Sequence, residues 1–384
     1  MKKKIKIFLL VCLSVLFLLL GGIRASAAED EDSAMPQEYS GFLGVLPDEI
    51  SDKLPTGALS GDRESVLGAA EEMIGVKYLL GALFSTFGEA ITSLMPTLAL
   101  MLCVVVLSAL CHVFSSNVGG MSVAVTFACR LCSYFVTVGA AVTALSSLSD
   151  YFETLFACVA AFVPLSGVLY AMGGNLTGAA ASSVAISSSL AVCQFFFSKT
   201  VIPFFCTCLS LTLISVFDGA PSRAAGSISS TLKKWYTTAL AFISMILTAS
   251  IAGQGIISAK ADSAAMRGAK FAAGSFIPLS GGTLSSTLGT LASSVELLRG
   301  SVGVVGIVII LLMLISVVVR LAVMRGLLAI TSFAAGVLGC SGEQRLLDEI
   351  GALYGYLEGI AAISASTFII AMAIFATTAS AVIN

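Results

Sequence analysis

The sequence predicts an all-α, polytopic helical membrane protein, and three observations carry that prediction. Of 384 residues, 57% are hydrophobic and only 11% are charged, against about 25% charged in an average soluble domain. The mean hydropathy is +1.01. The apolar residues gather into runs of about 20, the length of helix that crosses a bilayer core. So few charges cannot solvate a globular surface. A soluble enzyme and a disordered scaffold are therefore poor fits. With no large basic block in the chain, nucleic acid is set aside as a partner.

The first element, residues 1–27, reads as a secretory signal peptide. Lys2–Lys6 form a basic start, Ile7–Leu20 an apolar core, and Ala25-Ser26-Ala27 a small-residue cleavage site. An uncleaved anchor is the competing reading, because the apolar run reaches Ile23. The acidic residues Glu29–Asp32 favour cleavage and export of the segment beyond it.

Residues 28–90 then form an extracytoplasmic acidic region, in which thirteen acids face three bases. Pro36, Pro47 and Pro55 indicate loops and short turns. From Asp62 to Ile91, apolar residues recur at steps of three and four, among them Val66, Leu67, Ala70, Met73 and Ile74. That spacing predicts an amphipathic helix.

The membrane body, residues 91–384, shows clear spans at Leu94–Phe114, Ser122–Leu145, Thr200–Phe217, Tyr236–Ser258, Ser301–Val319 and Ile360–Ile383. Two stretches between them, about 151–197 and 271–298, are rich in Gly, Ser and Ala, and they resemble each other. Phe162-Val-Pro-Leu-Ser-Gly167 matches Phe276-Ile-Pro-Leu-Ser-Gly281, and Ala181-Ser-Ser-Val184 matches Ala292-Ser-Ser-Val295. The reading is an internal repeat of a Pro/Gly-broken helical hairpin. Proline removes a backbone donor and clashes with the preceding turn. In a bilayer, the freed groups must be satisfied by protein or by water in a cavity. Pro164, Gly167, Pro278, Gly281 and Gly282 are thus candidates for re-entrant breaks lining a pathway. Ordinary kinks among small-residue helices are the plain alternative.

Export of the acidic region would place Arg223, Lys233 and Lys234 inside, as the positive-inside rule prefers. The basic loop 259–270 conflicts with this, since one span separates the two. Either the rule fails there or Tyr236–Ser258 bends near Gly253-Gln-Gly255. The first choice makes the repeats parallel and the second makes them inverted.

Arg130 lies nine residues into its span, either snorkelling or a cavity-facing or paired arginine. Arg320 and Arg325 read as a cytoplasmic helix end. Among intramembrane acids, Glu296 is the best candidate. Gly342–Gly359 is polar enough to leave the bilayer core as an interfacial or partner-docking helix. Its Gly351, Gly355 and Gly359 form a stripe suited to close helix packing.

Little here suggests chemistry. The single histidine, His112, has no second ligand at metal spacing. No phosphate-binding loop, nucleophile elbow or H-E-x-x-H motif occurs, so neither an enzyme nor a cofactor is expected. Cys129 and Cys132 form a Cys-x-x-Cys with no second pair, and read as small hydrophobes.

The order of these features, and above all Gly274-Ser-Phe-Ile-Pro-Leu-Ser-Gly-Gly-Thr-Leu284 within Ala269–Leu284, resembles the stage III sporulation protein AE family of endospore-forming bacteria. The resemblance implies a multi-pass subunit in the mother-cell membrane around the forespore. It also implies a channel or secretion-like complex, with other membrane subunits, a secretion-type ATPase and ring-forming proteins as partners. Without the resemblance, a stand-alone secondary transporter is the alternative. The scarcity of intramembrane acids weakens that alternative.

Overall fold

A computed structural model describes residues 35–115, 121–172, 176–214, 224–250, 253 and 281–377. The signal peptide, Pro278 and the basic loop 259–270 lie outside the described residues, as does the choice between parallel and inverted repeats. Every regular element described is helical.

The acidic region folds into α1 (Gln37–Leu43), α2 (Asp48–Ser51), a 3-10 turn (Thr56–Leu59) and α3 (Arg63–Met73). Asp62 caps α3, its carboxylate accepting from the Ser65 amide at 3.1 Å and the Ser65 hydroxyl at 2.8 Å. The long amphipathic helix expected here is two helices. The chain breaks after Ile74 at Gly75, and α4 (Val76–Ser115) continues from it into the first span.

Next come α5 (Met121–Met172), α6 (Leu176–Cys193), a π-helical turn (Gln194–Ser198), α7 (Lys199–Ile214) and α8 (224–250). After them come α9 (Gly281–Val337) and α10 (Ser341–Thr377). At 1.5 Å per residue, the 52 residues of α5 extend about 78 Å, more than twice a bilayer core of about 30 Å. The π-turn comes just before Pro203, whose ring clashes with the turn behind it, so a widened turn is a natural outcome. Among the described residues, five stretches are long and apolar enough to cross a membrane: Lys77–Phe114, Phe127–Met172, Ala179–Ile214, Leu298–Val337 and Ser341–Ala376. That count fits a multi-pass membrane protein.

The first repeat differs from its expected form. Helix α5 runs straight through Pro164 and Gly167, and Pro164 is exposed. The hairpin turns instead after Met172, and α6 packs back on α5. One proline does not break the helix, because abandoning further hydrogen bonds in an apolar medium costs several kcal/mol each. The two repeated motifs face each other across this hairpin: a Cβ on Gly167 would lie 3.3 Å from Ser183 Oγ. In the second repeat, Gly281 and Gly282 open α9.

The centre of the molecule is the antiparallel pair α9–α10, with α4 and α5 packed on it. Its turn is a Schellman motif. The Cys340 amide donates to the Ala335 carbonyl at 2.9 Å and the Gly339 amide to Gly336 at 3.2 Å. Gly339 supplies the φ of +78° that the motif requires. The acidic region joins the same core rather than hanging free. Phe42 packs edge-on against Phe162, which packs edge-on against Phe375, with centroids 5.9 and 5.0 Å apart. Lys53 Nζ donates to Thr86 at 3.2 Å, and Glu49 pairs with Arg320 at 3.6 Å.

Two expectations for the C-terminal part are corrected. Arg320 and Arg325 do not end a helix, because α9 continues to Val337. Gly342–Gly359 is not a separate interfacial helix. It is the first half of α10, and Leu346, Leu347, Ile350, Leu353, Tyr354 and Leu357 bury its face on the core.

Candidate functional site

The charges of the body converge on the α9–α10 hairpin. At its turn, Ser108 of α4 donates to Glu343 at 2.5 Å, and Glu343 is buried. Arg130 of α5 lays its guanidinium against Gly342, where any Cβ would overlap it. Glycine at 342 is what lets an arginine lie flat on α10 next to a buried carboxylate.

Further along, Ser332 donates to Asp348 at 2.6 Å and to the Gln344 carbonyl at 3.3 Å. Arg345 and Glu349 pair one turn apart at 3.4 Å on the outer side of α10. The buried Lys233 of α8 lies over the Tyr356 ring at 5.7 Å. Arg325 then meets Glu358 at 3.1 Å, both side chains less than one-fifth exposed. This pair explains the glycine stripe. A Cβ on Gly355 would come within 2.9 Å of Arg325 Nη1, and one on Gly351 within 3.8 Å of Leu328. Gly359 has no atom within 4 Å of that position and Gly351 only an ordinary contact, so the tight approach is at Gly355.

The far end of the hairpin holds Arg299, 1% exposed. Its guanidinium stacks on the Tyr170 ring at 3.8 Å and lies 5.0 Å from the Phe375 ring, and Nη2 donates to the Phe375 carbonyl at 3.2 Å. Such a desolvated cation–π contact is worth about 2 kcal/mol. It ties the C-terminal ends of α5 and α10 to α9.

The arrangement gives buried charges an opposite charge, a hydroxyl, a carbonyl or an aromatic ring, and links α4, α5, α8, α9 and α10. Among the described residues, no cluster of His, Cys, Asp and Glu is placed to hold a metal ion. Sequence reasoning missed Arg299, Glu358 and the burial of Glu343. The signal for Arg299 and Glu358 was a charge set among apolar and small residues, which in a membrane segment calls for a partner; Glu343, in Ser341-Gly342-Glu343-Gln344-Arg345, carries no such signal. Glu296, the acid favoured from sequence, belongs to a stretch of α9 whose side chains are not described.

A bundle of long apolar helices, held together by partnered internal charges and joined to an acidic N-terminal region, defines a class: an integral membrane protein of several spans. Its family is shown by comparison. The family model described as stage III sporulation protein AE matches residues 65–379, and the chain belongs to that family, as its sequence resemblance implied. No curated protein matches the chain, and no solved structure does.

Proposed function

We propose that this protein is a membrane subunit of the channel, or secretion-like, complex that links mother cell and forespore. It would serve there as a platform with a gating element. Its place would be the mother-cell membrane surrounding the forespore, with the N-terminal region exported. Other membrane subunits, a secretion-type ATPase and ring-forming proteins would be its partners.

One observation carries the platform reading. The inner side of α10 is locked to α9, while Ser341, Gln344, Arg345, Asp348 and Glu349 line an open depression on its outer side. Polar residues of both signs around a concavity, next to rigid packed helices, suit the docking of a polar partner surface. The gating reading rests on the repeated Pro-Leu-Ser-Gly sequence, whose second copy immediately precedes the long central helix α9.

Two substitution sets separate these roles in sporulating cells. Charge reversal of Arg345 should abolish co-purification of partner subunits while leaving the protein in the membrane. Replacing Pro278 and Gly281 by alanine should stop forespore gene expression with the complex still assembled. Loss of assembly from the second set would remove the gating role, and unaltered assembly from the first would remove the docking role. A stand-alone transporter, the alternative, would move solute in liposomes without partners.

A further inference from the structure

Helix α8 carries a buried cation outside any ion pair. Ser229 and Lys233 lie one turn apart on one face of α8, each 6% exposed. Among the described residues neither side chain finds an acceptor. The Ser229 hydroxyl has no hydrogen-bond partner, and no carboxylate lies in ion-pair reach of Lys233. The Lys233 ammonium has only the Tyr356 ring of α10 beneath it, at 5.7 Å. Glu349, two turns before Tyr356 on α10, is already paired with Arg345 at 3.4 Å. The first turn of α8 passes beside that carboxylate, since a Cβ on Gly226 would lie 4.0 Å from Glu349 Oε1. The two donors of α8 therefore sit close to the rim of the depression that Glu349 and Ala352 line.

A desolvated ammonium without a counter-charge is strongly unfavourable, and a desolvated hydroxyl without a partner adds to the cost. A ring at 5.7 Å offsets little of it, being near the outer limit of about 6 Å for a cation–π contact. Three ammonium N–H groups and one O–H on the same face call for an acceptor that carries negative charge. The neighbouring residues indicate where that acceptor comes from. Lys234 and Trp235 follow directly and are exposed, and the helix beyond them is apolar. An exposed lysine and tryptophan at the start of an apolar helix mark the membrane–water interface. Acidic phospholipids present their phosphates at that level.

We propose that Ser229 and Lys233 bind the phosphate group of an acidic phospholipid headgroup. The ammonium supplies the counter-charge and the hydroxyl donates one hydrogen bond to a phosphate oxygen. A headgroup held there bridges α8 and α10 beside the depression. Its binding does not depend on a protein partner docking in the depression.

The test titrates the full chain, purified in detergent, with short-chain phosphatidylglycerol, phosphatidylcholine or inorganic phosphate, and counts bound molecules by native mass spectrometry. Phosphatidylglycerol should bind about tenfold more tightly than phosphatidylcholine, and Lys233→Met should lose that preference. Lys234→Gln removes the exposed neighbouring charge and should keep it. Equal binding of the two lipids, or loss of the preference in Lys234→Gln as well, would overturn the site. Binding of inorganic phosphate with no preference for phosphatidylglycerol would overturn the lipid as its source. Where Lys233→Met fails to fold, Ser229→Ala decides. It should weaken phosphatidylglycerol about threefold and leave phosphatidylcholine unchanged, and an unaltered preference would overturn the proposal.

Discussion

Helix α4 has 22% of its most apolar stretch inside the protein, and α9 has 78%. Their candidate spans, 38 and 40 residues long, are both strongly apolar, yet one is the periphery and the other the centre. On α4, Phe84, Leu107, Leu110 and Phe114 are exposed, whereas on α9 Ile309, Ile310, Val302 and Leu328 are buried by α10, α4 and the acidic region. Hydropathy cannot separate these cases, because a lipid tail is as apolar as a leucine core. The difference lies in the small and charged residues. Gly303 of α9 admits α10 so closely that an added Cβ would stand 2.7 Å from Ala376 Cβ, whereas Gly81 and Gly88 of α4 have no atom within 4 Å. Arg325 of α9 meets Glu358 in the interior, and Glu89 of α4 is exposed.

Matched substitutions in detergent-purified protein test this contrast. Arg325→Ala leaves the Glu358 carboxylate without its cation in a largely buried site. It should lower unfolding stability by about 3 kcal/mol or more, while Glu89→Ala on α4 should change it little. Replacing Arg325 and Glu358 together by methionine and leucine should recover most of the loss. If the single and double variants melt alike, the pair does not hold the hairpin.

Ile309→Ala opens a cavity in the core and should cost about 3 kcal/mol. Leu107→Ala, trimming an exposed side chain, should stay within about 0.5 kcal/mol. Equal effects in a denaturation series would mean that α4 is as central as α9.

Gly303→Ala should cost about 2 kcal/mol, since the obstacle is the Ala376 Cβ, which cannot move without its helix backbone. Gly306→Ala should cost less, because it meets only the flexible Met372 side chain. Gly88→Ala should instead stabilise by up to about 1 kcal/mol, through helix propensity alone. Thermal melts with opposite signs at 303 and 88 would sharpen the contrast.

The smallest effect concerns the cap of α3, which packs on α9. The Ser65 hydroxyl and amide hold the Asp62 carboxyl below its usual range. Its contribution is therefore full above the unfolded carboxyl value and fades as pH falls through the lower folded one. Amide exchange of α3 should quicken in acid, and Asp62→Asn should remove that dependence.

Parts of this structure were legible in the sequence because one physical rule governs each. Runs of about 20 apolar residues marked the apolar helices, whereas of the glycines four apart only Gly355 meets a neighbour tightly. The acidic segment after Asp62 had the right period but the wrong extent, since periodicity does not register a stop at Gly75. Pro164 misled because proline removes a single bond, and the helix through it keeps all its others. Arg299 and Glu358 were passed over because their partners, Tyr170, Phe375 and Arg325, lie 33 residues or more away in the chain.

The sequence by itself determined a multi-span helical protein, because bilayer thickness and backbone hydrogen bonding leave one economical solution for so apolar a chain; its family was legible through resemblance alone, above all in Ala269–Leu284. Only the tertiary structure decided which helix is the core, which helices pair, and which buried charges find partners. Those outcomes depend on contacts between residues far apart in the chain, and composition and spacing along one segment carry no record of them.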